Sequence, residues 1–334
     1  MRNLVRLVSG VAVLCAMASA AVAAPYTIKI SSPTVNDATQ EWAKVFAAEL
    51  KTRVADRIKV EFYPANQLGQ IPATVEGTAM GTIEIVAPAT GFFVGIEPRF
   101  QVFDAPGLFQ DMAHAQRVFA DPQVRARIAT FGNAKGLEPI ATWPHGPLML
   151  LSHKPVRKVS DFKGQKIRVP GAAPLQVKPF EKFGALPVSM PLGEVLSAMQ
   201  NKTIDGLIAS ATVFTAFKYY DLAKGMTALP GSFLIVSAVA NRAFLKSLGP
   251  ELETAVRDAA LAAQQKSQAF AIEDVKRTLD VWAGHGGENI ALPASESSAY
   301  LAEIEPLLPT LLGATPKLKE DYDVLRAAAQ RLRQ

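Results

Sequence analysis

The chain has 334 residues, 49% of them hydrophobic and 19% charged, with a formal net charge of +5 and a single cysteine. This is the composition of an ordered globular protein long enough for two domains, and its mild basic excess attracts anionic solutes only weakly. No block of lysine and arginine interleaves with aromatics, so nucleic-acid binding has no support, and with Cys15 confined to the amino end no disulfide, thiolate metal site or cysteine nucleophile is available downstream.

Arg2 and Arg6 precede an apolar run from Leu7 to Ala18, and Ala21-Val22-Ala23 supplies small residues for cleavage. Residues 1–23 therefore read as a secretory signal peptide, with cleavage near Ala23 and export to the periplasm as the expectation. The apolar run is shorter than the roughly 20 residues of a membrane span. No later stretch resembles one, so the chain is not expected to span a membrane itself. Cys15 follows Leu14 rather than a small residue, unlike a lipoprotein signal.

Tyr26 to Ser31 alternates as a strand, Ala38 to Val54 has helical spacing through Trp42, Val45, Phe46 and Leu50, and Ile58 to Tyr63 is a second strand. A helix over Ala73 to Met80 and a strand over Ile83 to Ala87 complete a β-α-β-α-β unit. A second unit from Leu148 to Ala209 repeats the pattern, with strands near Leu148, Ile167, Val188 and Leu207. Two such α/β lobes imply a cleft. From Pro250 to Trp282 one long helix is predicted, with Gly249 before it and Gly284 after it. At 1.5 Å per residue it reaches roughly 50 Å, enough to bridge two lobes or to lie along one. Terminal helices are predicted over Leu301 to Leu312 and Pro316 to Arg333.

The richest stretch runs from Asp161 to Gly206. Within its short strand, Lys166 to Val169, alternation sends Ile167 and Val169 to one face and Lys166 and Arg168 to the other. Pro170 and Gly171 end the strand. An arginine at the carboxyl end of a strand in an α/β sheet lies where such folds bind ligands, and its planar fork suits a carboxylate. A surface ion pair is the plain alternative. Catalytic patterns find little support: His114, His145, His153 and His285 are scattered, and no His-Glu-x-x-His, Gly-x-Ser-x-Gly or phosphate-loop motif occurs. Glu194 reads as a helix amino-terminal charge, and Asp161 and Asp205 as turn residues.

Asp161-Phe-Lys-Gly-Gln-Lys-Ile-Arg168, then Gly184-Ala-Leu-Pro-Val-Ser-Met190, Glu194-Val195 and Ile204-Asp-Gly206 resemble, in order and spacing, the signature of DctP-type solute-binding proteins of tripartite ATP-independent periplasmic (TRAP) transporters. Gln67-Leu68-Gly69 is a further shared feature. The resemblance implies an α/β, two-lobed periplasmic binding protein, type II-like, with a hinge cleft and a long helix spanning both lobes. Lobe I is expected over residues 24–145 with 235–274, and lobe II over 146–234 with 275–334. It implies a receptor that catalyses nothing, binds a small carboxylate and delivers it to membrane permease subunits; no cofactor and no metal-ligand residues are assigned from the sequence. Arg168 is the expected carboxylate clamp. Leu148 and Ala209 stand where many members carry arginine and asparagine, which implies a greasier wall and a ligand with an apolar or aromatic body. Phe92, Trp143, Leu192 and Phe214 are candidates for that wall, and Ser32, Thr34, Gln67, Thr90, His145 and Ser210 for polar contacts. An exported enzyme acting on a small acid, or a ligand receptor for a sensor kinase, are the alternative readings.

Overall fold

The computed structural model describes residues 26–333, so the leader expected at residues 1–23 lies outside them. β1 (Tyr26–Ser31), α1 (Ala38–Val54) and β2 (Ile58–Tyr63) form where the alternation places them, with β1 and β2 parallel from Tyr26↔Ile58 to Ser31↔Tyr63. Asp37 caps α1 by accepting from the backbone N–H groups of Thr39 and Gln40. α2 (Ile71–Met80) starts two residues earlier than predicted and ends at Gly81, whose φ of 85° closes the helix in the left-handed region. β3 is only Ile85–Val86.

After α3 (Met112–Ala120) and α4 (Pro122–Ile128) comes β4 (Leu137–Ser152), a strand far longer than the one expected near Leu148. It pairs antiparallel with β8 (Gly225–Asn241), which the sequence reading did not identify. Pro139, Pro144 and Pro147 punctuate β4, and register shifts occur at 139/141, 144/146 and 147/149. Proline cannot donate to a ladder, so a strand carrying three of them bends and hides its period-2 pattern.

These two ribbons join everything into one mixed sheet of order β2-β1-β3-β8-β4-β7-β5-β6, with β9 (Glu288–Ile290) beside β8. β5 (Lys166–Val169), α5 (Pro174–Lys182), β6 (Leu186–Ser189), α6 (Leu192–Gln200), β7 (Gly206–Ala209) and α7 (Ala211–Ala216) form the second α/β unit. The first unit holds β3 against β8 near Ala240, whereas β7 joins β4 only from Met149 onward.

The expected single long helix is two. After α8 (Arg242–Ser247), α9 (Gly249–Lys266) and α10 (Gln268–Gly284) meet at Ser267, whose φ and ψ of −85° and −3° flatten the turn. The hydroxyl of Ser267 is buried without a partner. α9 packs on α1 and α10 on α7, so the helical pair touches both units. One core cluster holds Ile28, Trp42, Phe46 and Val256, and another, larger one runs through β4, β5 and β7. α11 (Ala294–Ile304), α12 (Leu308–Gly313) and α13 (Pro316–Arg331) pack outside, and no helix of the described residues is long and apolar enough to cross a membrane.

Candidate ligand-binding site

β5 lies between β6 and β7 with both faces covered, so its alternation does not bring Arg168 to the surface. Ile167 and Val169 are fully buried and Arg168 is only 2% exposed. The guanidinium is held from behind: Nε donates to the carbonyl of Met190 at 3.0 Å, and the Phe92 ring centre lies 5.6 Å from Cζ. Nη2 is buried with no partner, and among the described residues no carboxylate forms an ion pair with Arg168. Desolvation lowers its pKa to about 10, against the opposing influence of Tyr219, whose own phenol burial pushes up to about 12. At neutral pH the site therefore contains a desolvated cation with an unused donor. That removes the surface-ion-pair reading.

A small cavity opens beside it. Thr34, Thr39, His145 and Arg168 supply its polar groups; Ile71, Phe92, Leu192, Ala209, Leu234 and Val236 supply much of an otherwise apolar wall. Next to Pro170 in its wall the backbones approach closely, since a Cβ on Gly171 would come 2.6 Å from the carbonyl oxygen of Gly91.

His145 ties three elements together. Its Nε2 lies 3.0 Å from Asp37 Oδ2 at the start of α1, and its Nδ1 lies 2.9 Å from Ser210 Oγ at the start of α7. Asp37 also accepts from the Thr34 hydroxyl. Burial alone would raise the Asp37 carboxyl, but the His145 hydrogen bond and attraction, with those of Thr34 and the Gln40 N–H, hold it below the usual range. The approach is close at Gly146, where a Cβ would meet Ser210 Cβ at 3.2 Å and Val275 Cγ2 at 3.3 Å. Although the residue types match a nucleophilic triad, Ser210 is 1% exposed and does not line the cavity. The arrangement acts as a tie.

Of the residues expected at the site, Arg168, Thr34, Phe92, His145, Leu192 and Ala209 meet around this cavity. Ser32 stands behind Thr34, whose N–H it accepts at 3.4 Å, Thr90 is buried in the turn just before Phe92, and Ser210 backs His145. Four do not reach it. Trp143 stacks on Trp42 at 5.3 Å in the first core cluster, and Phe214 packs edge-on to Tyr219 at 6.2 Å. Leu148 sits at the register break after Pro147 and faces a separate small cavity with Asp104 and Gln176. Gln67 is exposed in its loop. Asp161 and Asp205 serve turns as expected, accepting from Arg157, Lys158 and Lys166 N–H groups. The reading missed Asp37, although an aspartate before a helical run is a capping signal, and it missed Leu234 and Val236 because β8 went unread.

A family model described as bacterial extracellular solute-binding protein, family 7 (DctP), matches residues 31–312. The chain is 29% identical over 239 residues to the 2,3-diketo-L-gulonate-binding periplasmic protein YiaO of Escherichia coli, covering 71% of this chain and 72% of that one. It is 24% identical over 310 residues to the C4-dicarboxylate-binding periplasmic protein DctP of Rhodobacter capsulatus, covering 92% of each. Its fold matches a TRAP periplasmic solute-binding protein from Desulfovibrio salexigens with bound orotic acid, at a TM-score of 0.86 and 24% identity over 92% of this chain and all of that one. With its α/β fold and a buried arginine beside the cavity, the chain belongs to the DctP family of bacterial extracellular solute-binding proteins.

Proposed function

We propose that this protein is a periplasmic receptor that closes around an organic monocarboxylate with an apolar body and delivers it to the membrane permease of a TRAP transporter, with no turnover of the ligand. The unpartnered donor of Arg168 carries the reading, because a buried guanidinium gains most from an anion that fills its fork. The ligands named for the relatives, a diketogulonate, C4-dicarboxylates and orotic acid, are all acids. The wall bears on the kind of acid. Ile208 and Ala209 lie beside Arg168, and no second lysine or arginine lines the cavity. A second ligand carboxylate there would be desolvated without a partner, whereas an apolar body gains about 25 cal/mol per Å² buried.

We place lobe I at residues 24–145 with 235–274 and lobe II at 146–234 with 275–334. The register shifts of β4 at 144/146 and 147/149 fall at these crossings and support a hinge there. Mass spectrometry of ligands retained by the purified protein, followed by a thermal-shift panel, tests the reading. Aromatic and branched monocarboxylates should stabilise more than succinate, malate or sialic acid; stabilisation by the dicarboxylates alone would overturn it.

A further inference from the structure

Outside the Arg168 cavity, one pair of side chains leaves two buried acceptors unexplained. Asp104 ends the turn Pro98–Asp104, and Gln176 lies in the first turn of α5. Gln176 Nε2 donates to Asp104 Oδ1 at 3.2 Å. The remaining polar atoms of the same two side chains, Asp104 Oδ2 and Gln176 Oε1, are both out of contact with solvent and both without a partner. With the carboxyl ionised, each is an acceptor and neither can serve the other. A single proton resolves both, because a neutral carboxyl on Oδ2 can donate to the amide oxygen while Oδ1 still accepts from the amide nitrogen. The acid and the amide then form a cyclic pair with two hydrogen bonds.

The surroundings favour the neutral form. Leu148, Leu175, Phe180 and Phe233 line this cavity, and the only other titratable group there is Tyr300 of α11, whose phenol burial also pushes up. Among the described residues no cation pairs with Asp104: Arg99 on the same turn is bound to Asp321 of α13, which also holds Arg127 of α4. On α5, Lys178 pairs with Glu181 and Lys182 with Glu303 of α11, all at the surface. The neighbouring turn Thr90–Phe93 carries no titratable side chain. Desolvation raises the Asp104 carboxyl to about 7.

We propose that Asp104 is a neutral acid in this conformation and that the proton it holds fastens the turn Pro98–Asp104 to α5 through a two-bonded pair with Gln176. Resting on the hinge reading above, the turn belongs to lobe I and α5 to lobe II, so the pair forms on closure. Between the ordinary carboxylate pKa and the raised one, closing then takes up a proton from solvent, and acid favours the closed form.

Carboxyl carbon NMR of the full chain labelled at aspartate, with the resonance located by Asp104→Asn, reads the proton directly. A midpoint near pH 7 is expected; a midpoint near 4 overturns the pair. Asp104→Asn offers a second test, because an amide pairs with Gln176 through the same two bonds at every pH. Its thermal stability should exceed that of the wild type by a margin that grows from pH 5 to pH 8.5, and an equal loss at both would overturn the geometry. X-ray scattering of the ligand-free chain isolates the coupling: the wild type should be more compact at pH 5.5 than at 8.5, and Asp104→Asn should not respond. A raised NMR midpoint with pH-independent scattering overturns the coupling alone, and scattering unresponsive to a retained ligand as well overturns the hinge.

Discussion

Arg168→Met should change binding and stability in opposite directions. In this structure the guanidinium is 2% exposed, keeps one bond to Met190 and leaves Nη2 unsatisfied. Desolvation brings its pKa from 12.5 to about 10, which at roughly 1.4 kcal/mol per pH unit means the fold carries a cost of about 3 kcal/mol at any pH below 10. Methionine fills a similar volume without the charge, so the ligand-free variant should be more stable by an amount of that order, less what the lost Met190 bond contributed, about 1 kcal/mol. Binding should fall by about 2–4 kcal/mol, or roughly 30- to 1000-fold, as two charge-assisted bonds to the carboxylate vanish. Arg168→Lys should recover only part, since an ammonium cannot reproduce the fork. Denaturant titration of the ligand-free variants gives the first quantity and calorimetry with the retained acid the second. Unchanged affinity in a folded Arg168→Met variant would refute the clamp, and a ligand-free variant less stable than wild type would refute the claim that the arginine is kept for binding.

The tie through His145 predicts that His145→Ala weakens ligand affinity while leaving Arg168 in place, and scattering at saturating ligand should show a less compact average than wild type; an identical curve and affinity would assign His145 to packing alone. The lowered Asp37 carboxyl contributes stability that is present above its unfolded pKa of 3.8 and lost as pH falls through the lower folded value, so the stability difference between wild type and Asp37→Asn should hold constant above pH 4 and shrink below it. Asp321→Ala leaves Arg99, which it meets at 2.6 and 2.7 Å, and Arg127 without their shared carboxylate, and should cost about 3–5 kcal/mol in denaturant titration; a loss under 1 kcal/mol would mean that water replaces the carboxylate.

How far the sequence could be read follows from where local signals matched the burial they encountered. β1, α1 and β2 have the bounds the pattern predicts because β1 and α1 each bury one face and Ile58, Val60 and Phe62 alternate along β2, so the period shows through. β4 and β8, which determine the topology, were not read as long strands. They are buried on both faces over much of their length and interrupted by proline, so they show neither alternation nor a clean apolar run. The helix at Ser267 was read as continuous because nothing at that position breaks helical periodicity; only the flattened dihedrals and the unpaired hydroxyl reveal the kink.

The site was legible where one residue suffices and illegible where two distant segments must meet. Arg168 stood out because a strand end, a proline stop and a planar cation coincide within a few residues. The tie of Asp37, His145 and Ser210 spans 173 positions of sequence, and each member alone is an ordinary cap or a scattered histidine. Leu148 shows the converse: its position was noticed as a departure, but the break at Pro147 turned its side chain toward Asp104 and Gln176 instead of Arg168. The apolar substitution thus acts on the acid rather than on the clamp. An arginine at 148 would give Asp104 the cation its cavity lacks and hold it ionised, whereas leucine leaves burial unopposed.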